Sequence, residues 1–386
     1  MKPVIQYLGD NCKKCIKCVK SCPSDAISII NEKVIIDQQK CIHCHVCHQA
    51  CEKKVIKIEN VDLNEAFKKH EYNIALIPTA ILSDFDHYDE IKNLAYAIKK
   101  FGFDEVVQYS DIEGTLYKQA LKDSQNTDKV MLTSFCPTVN RLIENEYPTL
   151  IEHLLPYEYP VEIAAKKLRE KYHDKDIGIF SFCECVGKLV LAKEPFDNQD
   201  SYIDYALSIS RMFPHINKRK TNQQEEIEMN KYGVKSIVGD LFGNRRFSVI
   251  SVEGLSQIRA VLDLIEFDQL KHVQLIALFH CYQGCIGGYY LWSNPFEGRF
   301  HIESILDQCQ TTMTPLNKDE YYKEHLIHVK QQSIKERLAW FNKVNAILET
   351  LPQFDCGSCG FANCRGLASK IASGEVDDSL CRVKRR

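Results

Sequence analysis

The sequence predicts an α/β protein flanked by two small metal-binding modules. Three observations point there. Apolar, strand-like runs alternate with amphipathic helical stretches through the middle of the chain. Two cysteine runs near the start share one spacing, and a glycine-rich cysteine group closes the chain.

The bulk numbers agree. The chain has 386 residues, 45% hydrophobic and 26% charged, enough for one large core plus small modules. Its net charge of -3 gives no global field that would call for a nucleic-acid partner. No apolar run approaches the roughly 20 residues of a membrane span, and Met1-Lys2-Pro3-Val4 opens no signal-peptide core. Eighteen cysteines occur in clusters. That spacing reads as reduced thiolates holding metal, in a cytoplasmic and anaerobic setting.

Residues 1–60 read as a module for two [4Fe-4S] clusters. Cys12, Cys15, Cys18 and Cys22 form one run, and Cys41, Cys44, Cys47 and Cys51 the other. Both have the spacing Cys-x2-Cys-x2-Cys-x3-Cys of two-cluster bacterial ferredoxins, in which the fourth cysteine of each run serves the other cluster. The expected sets are Cys12, Cys15, Cys18 with Cys51, and Cys41, Cys44, Cys47 with Cys22. Zinc on the same thiolates is the competing reading; the duplicated spacing disfavours it. Pro23 follows the first run, whereas Glu52 stands where the second would carry proline. His43, His45 and His48 flank the second run and are expected to be exposed rather than to ligate. Ten Lys and Arg against six Asp and Glu make the module +4. This suits a solvated face, or a docking face for an acidic electron carrier such as a ferredoxin or flavodoxin.

Residues 61–345 are assigned to a central domain. The charged stretch 61–72 is a linker or short helix. A buried strand is expected at 74–77. A helix at 87–101 follows, with Ile91, Leu94, Ala95, Ile98 and Phe101 at helical spacing and Gly102 as its stop. Strands at 106–109 and 130–133 enclose a helix at 115–121. Pro160 opens a helix running to Tyr172, at the first turn where its missing N–H costs nothing. A strand at 177–180 comes next. Residues 216–235 are polar and charged, and are read as a surface loop or exposed helix. A strand at 249–252, an amphipathic helix at 255–265 and a strand at 273–278 complete the domain. Residues 323–351 are helical in composition and lead to the tail.

Three of these strands run into cysteine loops. They are Thr133-Ser134-Phe135-Cys136-Pro137, then Phe182-Cys183-Glu184-Cys185-Val186-Gly187-Lys188, then 275–288 with Cys281, Cys285 and the glycines around them. Scattered buried cysteines are common in cores, but Cys-x-x-Gly-Cys-x-Gly-Gly is hard to explain as packing. Convergence of the three loops on one metal cluster is the sharper reading.

The tail, 346–386, holds Cys356, Cys359, Cys364 and Cys381, spaced x2, x4 and x16. Its glycines let backbone bend around a cube. It resembles the small C-terminal [4Fe-4S] domain of corrinoid iron-sulfur proteins and Rnf-type electron carriers, with zinc again the alternative. Sixteen cysteines thus fall in ligand patterns, leaving Cys183 and Cys309 over.

Residues 73 to about 305 resemble the catalytic domain of [FeFe]-hydrogenases, whose three loops read roughly TSCCPxW, PCxxK and ExMxCxxGCxGG. Here they read TSFCPTV, ECVGK and ALFHCYQGCIGG. The stretch 101–106 before the first loop and 294–299 after the third also look familiar. The resemblance implies a two-lobed central domain. It also implies a [4Fe-4S] cube on Cys136, Cys185, Cys281 and Cys285, with Cys285 bridging to a two-iron centre that carries CO, cyanide and a dithiolate. Lys188 takes the place of the lysine that contacts a cyanide.

The departures are systematic. Phe135 stands for the proton-relaying thiol, Ala277 for a glutamate and Phe279 for a methionine. Glu184 stands for a proline, and Tyr159 for a relay serine. The family's glutamate pair in the helix after Asp111 finds no clear counterpart. Cys183 and His280 are placed to offer another proton route or extra ligands, though packing is the blander role for each. The expectation is a divergent, sensory or regulatory hydrogenase-like oxidoreductase with slow hydrogen chemistry. The alternative is an electron-transfer or redox-signalling protein whose central cube carries no two-iron centre. A cluster-assembly role fits poorly with two complete ferredoxin motifs and the tail.

Overall fold

The computed structural model describes residues 4–58, 61–192, 201–239, 248–324 and 334–384. Its contacts fall into two units, Met1–Glu59 with Ile327–Arg386, and Asn60–Leu326. The ferredoxin-type segment and the tail therefore share one unit.

In that unit β1 (Ile5–Tyr7) pairs antiparallel with β4 (Ile56–Ile58), and β2 (Ile27–Ile30) with β3 (Lys33–Ile36). Each cysteine run ends in a one-turn helix, Lys17–Ser21 and Val46–Ala50. The duplication visible in the cysteines recurs in the backbone. Left-handed residues fall at corresponding places of both runs: Lys14 and His43, Ile16 and His45, Asp25 and Lys54. Such turns wrap the chain tightly around the thiols. They also hold His43 and His45 against the module, so both rings are buried rather than exposed as expected. His48 is half-buried, with Nδ1 2.7 Å from the Ile56 carbonyl oxygen. The tail contributes the helices Ile334–Glu349 and Cys364–Ala372. They pack through Val344, Leu367 and Ala368, with Leu351 in the same cluster and Ile30 of β2 against it.

The other unit holds two parallel sheets. One has the order β6 (Glu105–Gln108), β5 (Tyr72–Ile77), β8 (Ile177–Cys183), β9 (Tyr205–Ser208). The second runs β10 (Val249–Glu253), β11 (Leu275–Phe279), β7 (Met131–Leu132). β5, β8 and β11 are buried nearly throughout and read as continuous apolar runs, as strands covered on both faces do. The helix Asp89–Phe101 buries Ile91, Leu94, Ala95 and Ile98 and ends at Gly102, whose φ of 136° only glycine adopts readily. Tertiary packing extends the helix expected at 115–121 to Ser110–Ser124, and Pro160–Lys171 begins on its proline.

The polar excursion at 216–235 departs from its expected exposure at the C-terminal end. Met229, Asn230 and Val234 are buried, and the segment closes with the helix Lys231–Ser236. The reason is a close backbone approach. A Cβ on Gly233 would lie 1.8 Å from the Ser110 carbonyl oxygen, and Asn230 N–H donates to Ser110 Oγ at 2.7 Å. Charge along 216–228 hid that contact from sequence periodicity. Among the described residues no helix is long and apolar enough to cross a membrane.

Candidate metal centres

Cys12, Cys15, Cys18 and Cys51 line one cavity of about 210 Å³, walled also by Ile16, Ile29, Val34 and Ile56. Burial pushes the Cys18 thiol up to about 11, with Cys51, Cys12 and Cys15 adding to it and the Val19 N–H opposing. Burial likewise pushes Cys44 up to about 12, opposed by the Val46 N–H and reinforced by Cys22 and Cys41. Cys47 is raised by burial, then by Cys41, Cys44 and Cys22. Cys51 thus stands with the first run and Cys22 with the second. Crowded thiols that resist ionisation are what a cationic iron cluster would relieve, because the metal binds the thiolate.

In the tail, Cys359 is raised by burial, with the Phe361 N–H opposing and Cys356 and Cys364 reinforcing. Cys356 is lowered, first by the Ser358 hydroxyl and then by the Ser358 N–H, with Lys20 assisting. Cys381 belongs to the same buried cluster as Cys364. A cube seats each thiolate on its own iron, so its sulfurs stand farther apart than four sharing one zinc at ~2.3 Å. Among the described residues no three His, Cys, Asp or Glu side chains gather closely enough for a single ion.

The central loops all leave the C-terminal ends of parallel strands, the usual place for a site in such sheets. The first and third loops leave paired strands, with Leu275 opposite Met131 and Ile276 opposite Leu132. The second leaves β8 in the other sheet. Cys136 caps the helix Pro137–Glu146, and Cys185 the helix Val186–Leu191. A helix N-terminus favours negative charge. Burial raises the Cys136 thiol, while N–H groups of His280, Val139 and Thr138 pull the other way. Cys185 is raised by burial, Glu184 and Cys281. Cys285 is raised by burial against the pull of Lys188, with Glu184 and Cys136 adding. In the third loop Gly284 takes φ 73°, and a Cβ there would sit 2.1 Å from the Ile237 carbonyl oxygen.

Beside Cys136 and Cys285 lies a small cavity with about 30 Å³ of space for water centres, room for about two waters. Phe135, Tyr117, Phe279 and Leu278 are among its walls. Tyr117, Ala277 and Phe279 form a buried cluster against which Phe135 and Cys285 pack. The rings of Tyr117 and Phe135 stand 4.7 Å apart. A two-iron centre with its CO, cyanide and dithiolate ligands is far larger than two waters, so these side chains would have to move to admit it.

Lys188 lines the same cavity but is already matched. Its Nζ lies 2.6 Å from Glu184 Oε1, the side chains being 11% and 1% exposed. The contact is an ion pair outside hydrogen-bonding angles, since neither Glu184 oxygen has a hydrogen-bond partner among the described residues. Burial works against the Lys188 charge, but Glu184 first, then Tyr109, Cys285 and Glu113, hold its pKa well above the usual range.

Glu113 was not visible as a site residue. It is buried on the helix Ser110–Ser124 and lines the cavity. Burial pushes its carboxyl up to about 7, against Lys188. Nothing in its sequence neighbourhood resembles a ligand spacing; only an acidic residue on the buried face of that helix could have flagged it. Tyr159, expected in place of a relay serine, accepts a hydrogen bond from Asn140 Nδ2 at 2.8 Å. Cys183 is fully buried at the end of β8, where its thiol donates to the Ser181 carbonyl at 3.5 Å, and burial pushes it up to about 12. His280 meets the site through its backbone N–H toward Cys136. Cys309 is buried, its thiol 3.7 Å from the Ile305 carbonyl oxygen.

Comparison with known proteins finds three domain families along the chain. Residues 74–244 match the family described as iron only hydrogenase large subunit, C-terminal domain. Residues 5–63 match a 4Fe-4S dicluster domain, and residues 351–383 a domain described as "putative Fe-S cluster". No curated protein matches the chain. Among solved structures, the chain is similar to an apo [FeFe]-hydrogenase HydA1 from Chlamydomonas reinhardtii carrying a cysteine-to-histidine substitution. Identity is 13% and the TM-score 0.50, over 65% of this chain and 90% of that one. A HydA structure described as revealing stepwise [FeFe]-hydrogenase H-cluster assembly gives 13% identity and a TM-score of 0.49, over 65% and 90%. At 13% identity the first of these likenesses is one of fold alone.

Proposed function

We propose a function for a chain in which an iron-only hydrogenase domain stands in sequence between a 4Fe-4S dicluster domain and a C-terminal Fe-S cluster domain. That function is electron transfer or redox signalling through four [4Fe-4S] sites, with hydrogen chemistry slow or absent. The observation that carries this reading is the apolar wall beside Cys285, where Phe135, Phe279 and Tyr117 leave room for about two waters.

A bound [4Fe-4S] cluster supplies one-electron oxidation and reduction. The chain's own residues set where that happens. Cys12, Cys15, Cys18 and Cys51 would hold one cluster, and Cys41, Cys44, Cys47 and Cys22 a second. Cys136, Cys185, Cys281 and Cys285 would hold the central one, and Cys356, Cys359, Cys364 and Cys381 the last. At the central site the helix N-termini at Cys136 and Cys185 and the N–H groups around Cys136 favour the anionic, metal-bound sulfur. The apolar wall excludes water. Lys188 offsets negative charge at the site while Glu184 limits how much.

The two-iron reading draws on Lys188 and Cys285 facing one cavity. The residues present do not fit that group: the space is too small, and the lysine that would meet a cyanide already meets Glu184.

The +4 ferredoxin-type segment supports an acidic carrier, a ferredoxin or flavodoxin, as partner, in an anaerobic cytoplasm. Reduction by an acidic ferredoxin should slow as salt rises, because screening shortens the reach of surface charge to about 8 Å at physiological ionic strength. A rate flat with salt contradicts that docking.

Iron and sulfide analysis tests the site count. Anaerobically prepared protein should hold about 16 irons per chain, four for each cube. A value near 12 would mean that one of the four cysteine sets carries no cluster.

A further inference from the structure

We propose that the tail site and the first ferredoxin-type site exchange electrons directly, so that the tail is a terminal of one relay within this unit. The inference rests on reading both cysteine sets as [4Fe-4S] sites. Its basis is a shared wall. Ile16 and Ile29 line the cavity that Cys12, Cys15, Cys18 and Cys51 surround. The same two residues form the floor on which the tail loop sits.

The loop touches that floor through its glycines. A Cβ on Gly357 would stand 2.8 Å from Ile16 Cδ1, and one on Gly360 only 1.9 Å from the Ile29 carbonyl oxygen. The Ile29 N–H donates to the Gly360 carbonyl at 2.8 Å, so β2 extends its hydrogen bonding into the tail. Both glycines take positive φ, 76° and 90°. Gly357 follows Cys356 and Gly360 follows Cys359. The partition between the two cysteine sites is therefore a single layer of isoleucine.

Polar contacts fix the same register. Lys20 Nζ donates to the Asp355 carbonyl at 3.1 Å, one residue before Cys356. Lys370 Nζ, on the tail helix, lies 4.0 Å from Asp37 Oδ2. These contacts join segments more than three hundred residues apart. They also use one lysine of the basic segment to hold the tail rather than an outside partner.

The step is simple in balance. One electron leaves one site and reduces the other; no bond breaks and no proton is required. An external low-potential one-electron reductant supplies the first electron, and dithionite serves in the test.

Low-temperature EPR of the dithionite-reduced full chain tests the contact, with iron analysis alongside. The intact protein should show magnetic interaction that involves the tail cluster. Cys364→Ser should lose about four irons and sharpen the remaining signal. Lys20→Ala, which leaves every cysteine and every glycine of the tail loop in place, should keep its iron yet weaken the interaction, because the loop loses the hydrogen bond to the Asp355 carbonyl. The proposal is overturned if the intact spectrum is the plain sum of the Cys364→Ser spectrum and one isolated cluster. If neither Cys364→Ser nor Cys364→Ala, which leaves no oxygen or sulfur to ligate, loses iron, the tail holds no cluster; the cluster assignment itself then fails, and this inference with it.

Discussion

Hydrogen evolution by protein co-expressed with hydrogenase maturation factors is expected to run at least ~10²–10⁴-fold below a prototypical [FeFe]-hydrogenase under the same reductant, the usual cost of losing one positioned acid-base group. Phe135 faces the central cavity where the resemblance calls for a thiol, and its ring packs on Tyr117. Ala277 sits in the apolar cluster with Phe279, where the resemblance calls for a carboxylate. A phenyl ring and a methyl group carry no proton. Groups in one relay act in series, so the losses do not multiply. Phe135→Cys alone should therefore restore little. Glu113, pushed up to about 7, is a titratable group at the cavity, but it meets this wall. Gas-chromatographic hydrogen assays decide the point, and prototypical rates would refute the blocked path.

Lys188→Ala is expected to cost about 3–5 kcal/mol of folding stability, the range for removing one partner of a buried ion pair. Lys188 and Glu184 are 11% and 1% exposed, so water cannot replace the lost partner. Glu184→Ala should cost a similar amount, because the ammonium would then stay buried without its counter-ion. Replacing both with apolar residues, Lys188→Met with Glu184→Leu, should cost far less than the sum, since no charge is left to desolvate. Anaerobic urea denaturation of the four proteins, with iron measured in each, provides the double-mutant cycle. Single variants each within 0.5 kcal/mol of the parent, about the range of ordinary surface changes, would mean that this pair does not govern the site.

The cysteine runs were legible because cluster ligation imposes a spacing on sequence, and the left-handed turns at Ile16 and His45 obey the same constraint. The strands feeding the three central loops were legible from apolar runs; β8 and β11 lie where those runs are. Burial across long separations was not. Lys188 and Glu184 stand four apart on the chain, and that spacing suits a surface pair as well as an interior one. The seat of Gly360 on Ile29 leaves no periodic signal in either segment. Glu113 was missed for the same reason: its raised pKa comes from what surrounds the helix, not from its neighbours in sequence.

The most direct test of the central claim, a hydrogenase-like domain whose cube carries no two-iron centre, is the infrared spectrum of the protein after co-expression with hydrogenase maturation factors. No bands of iron-bound CO or cyanide are expected from protein that holds about 16 irons. Sharp CO and cyanide bands from the same sample would contradict the claim.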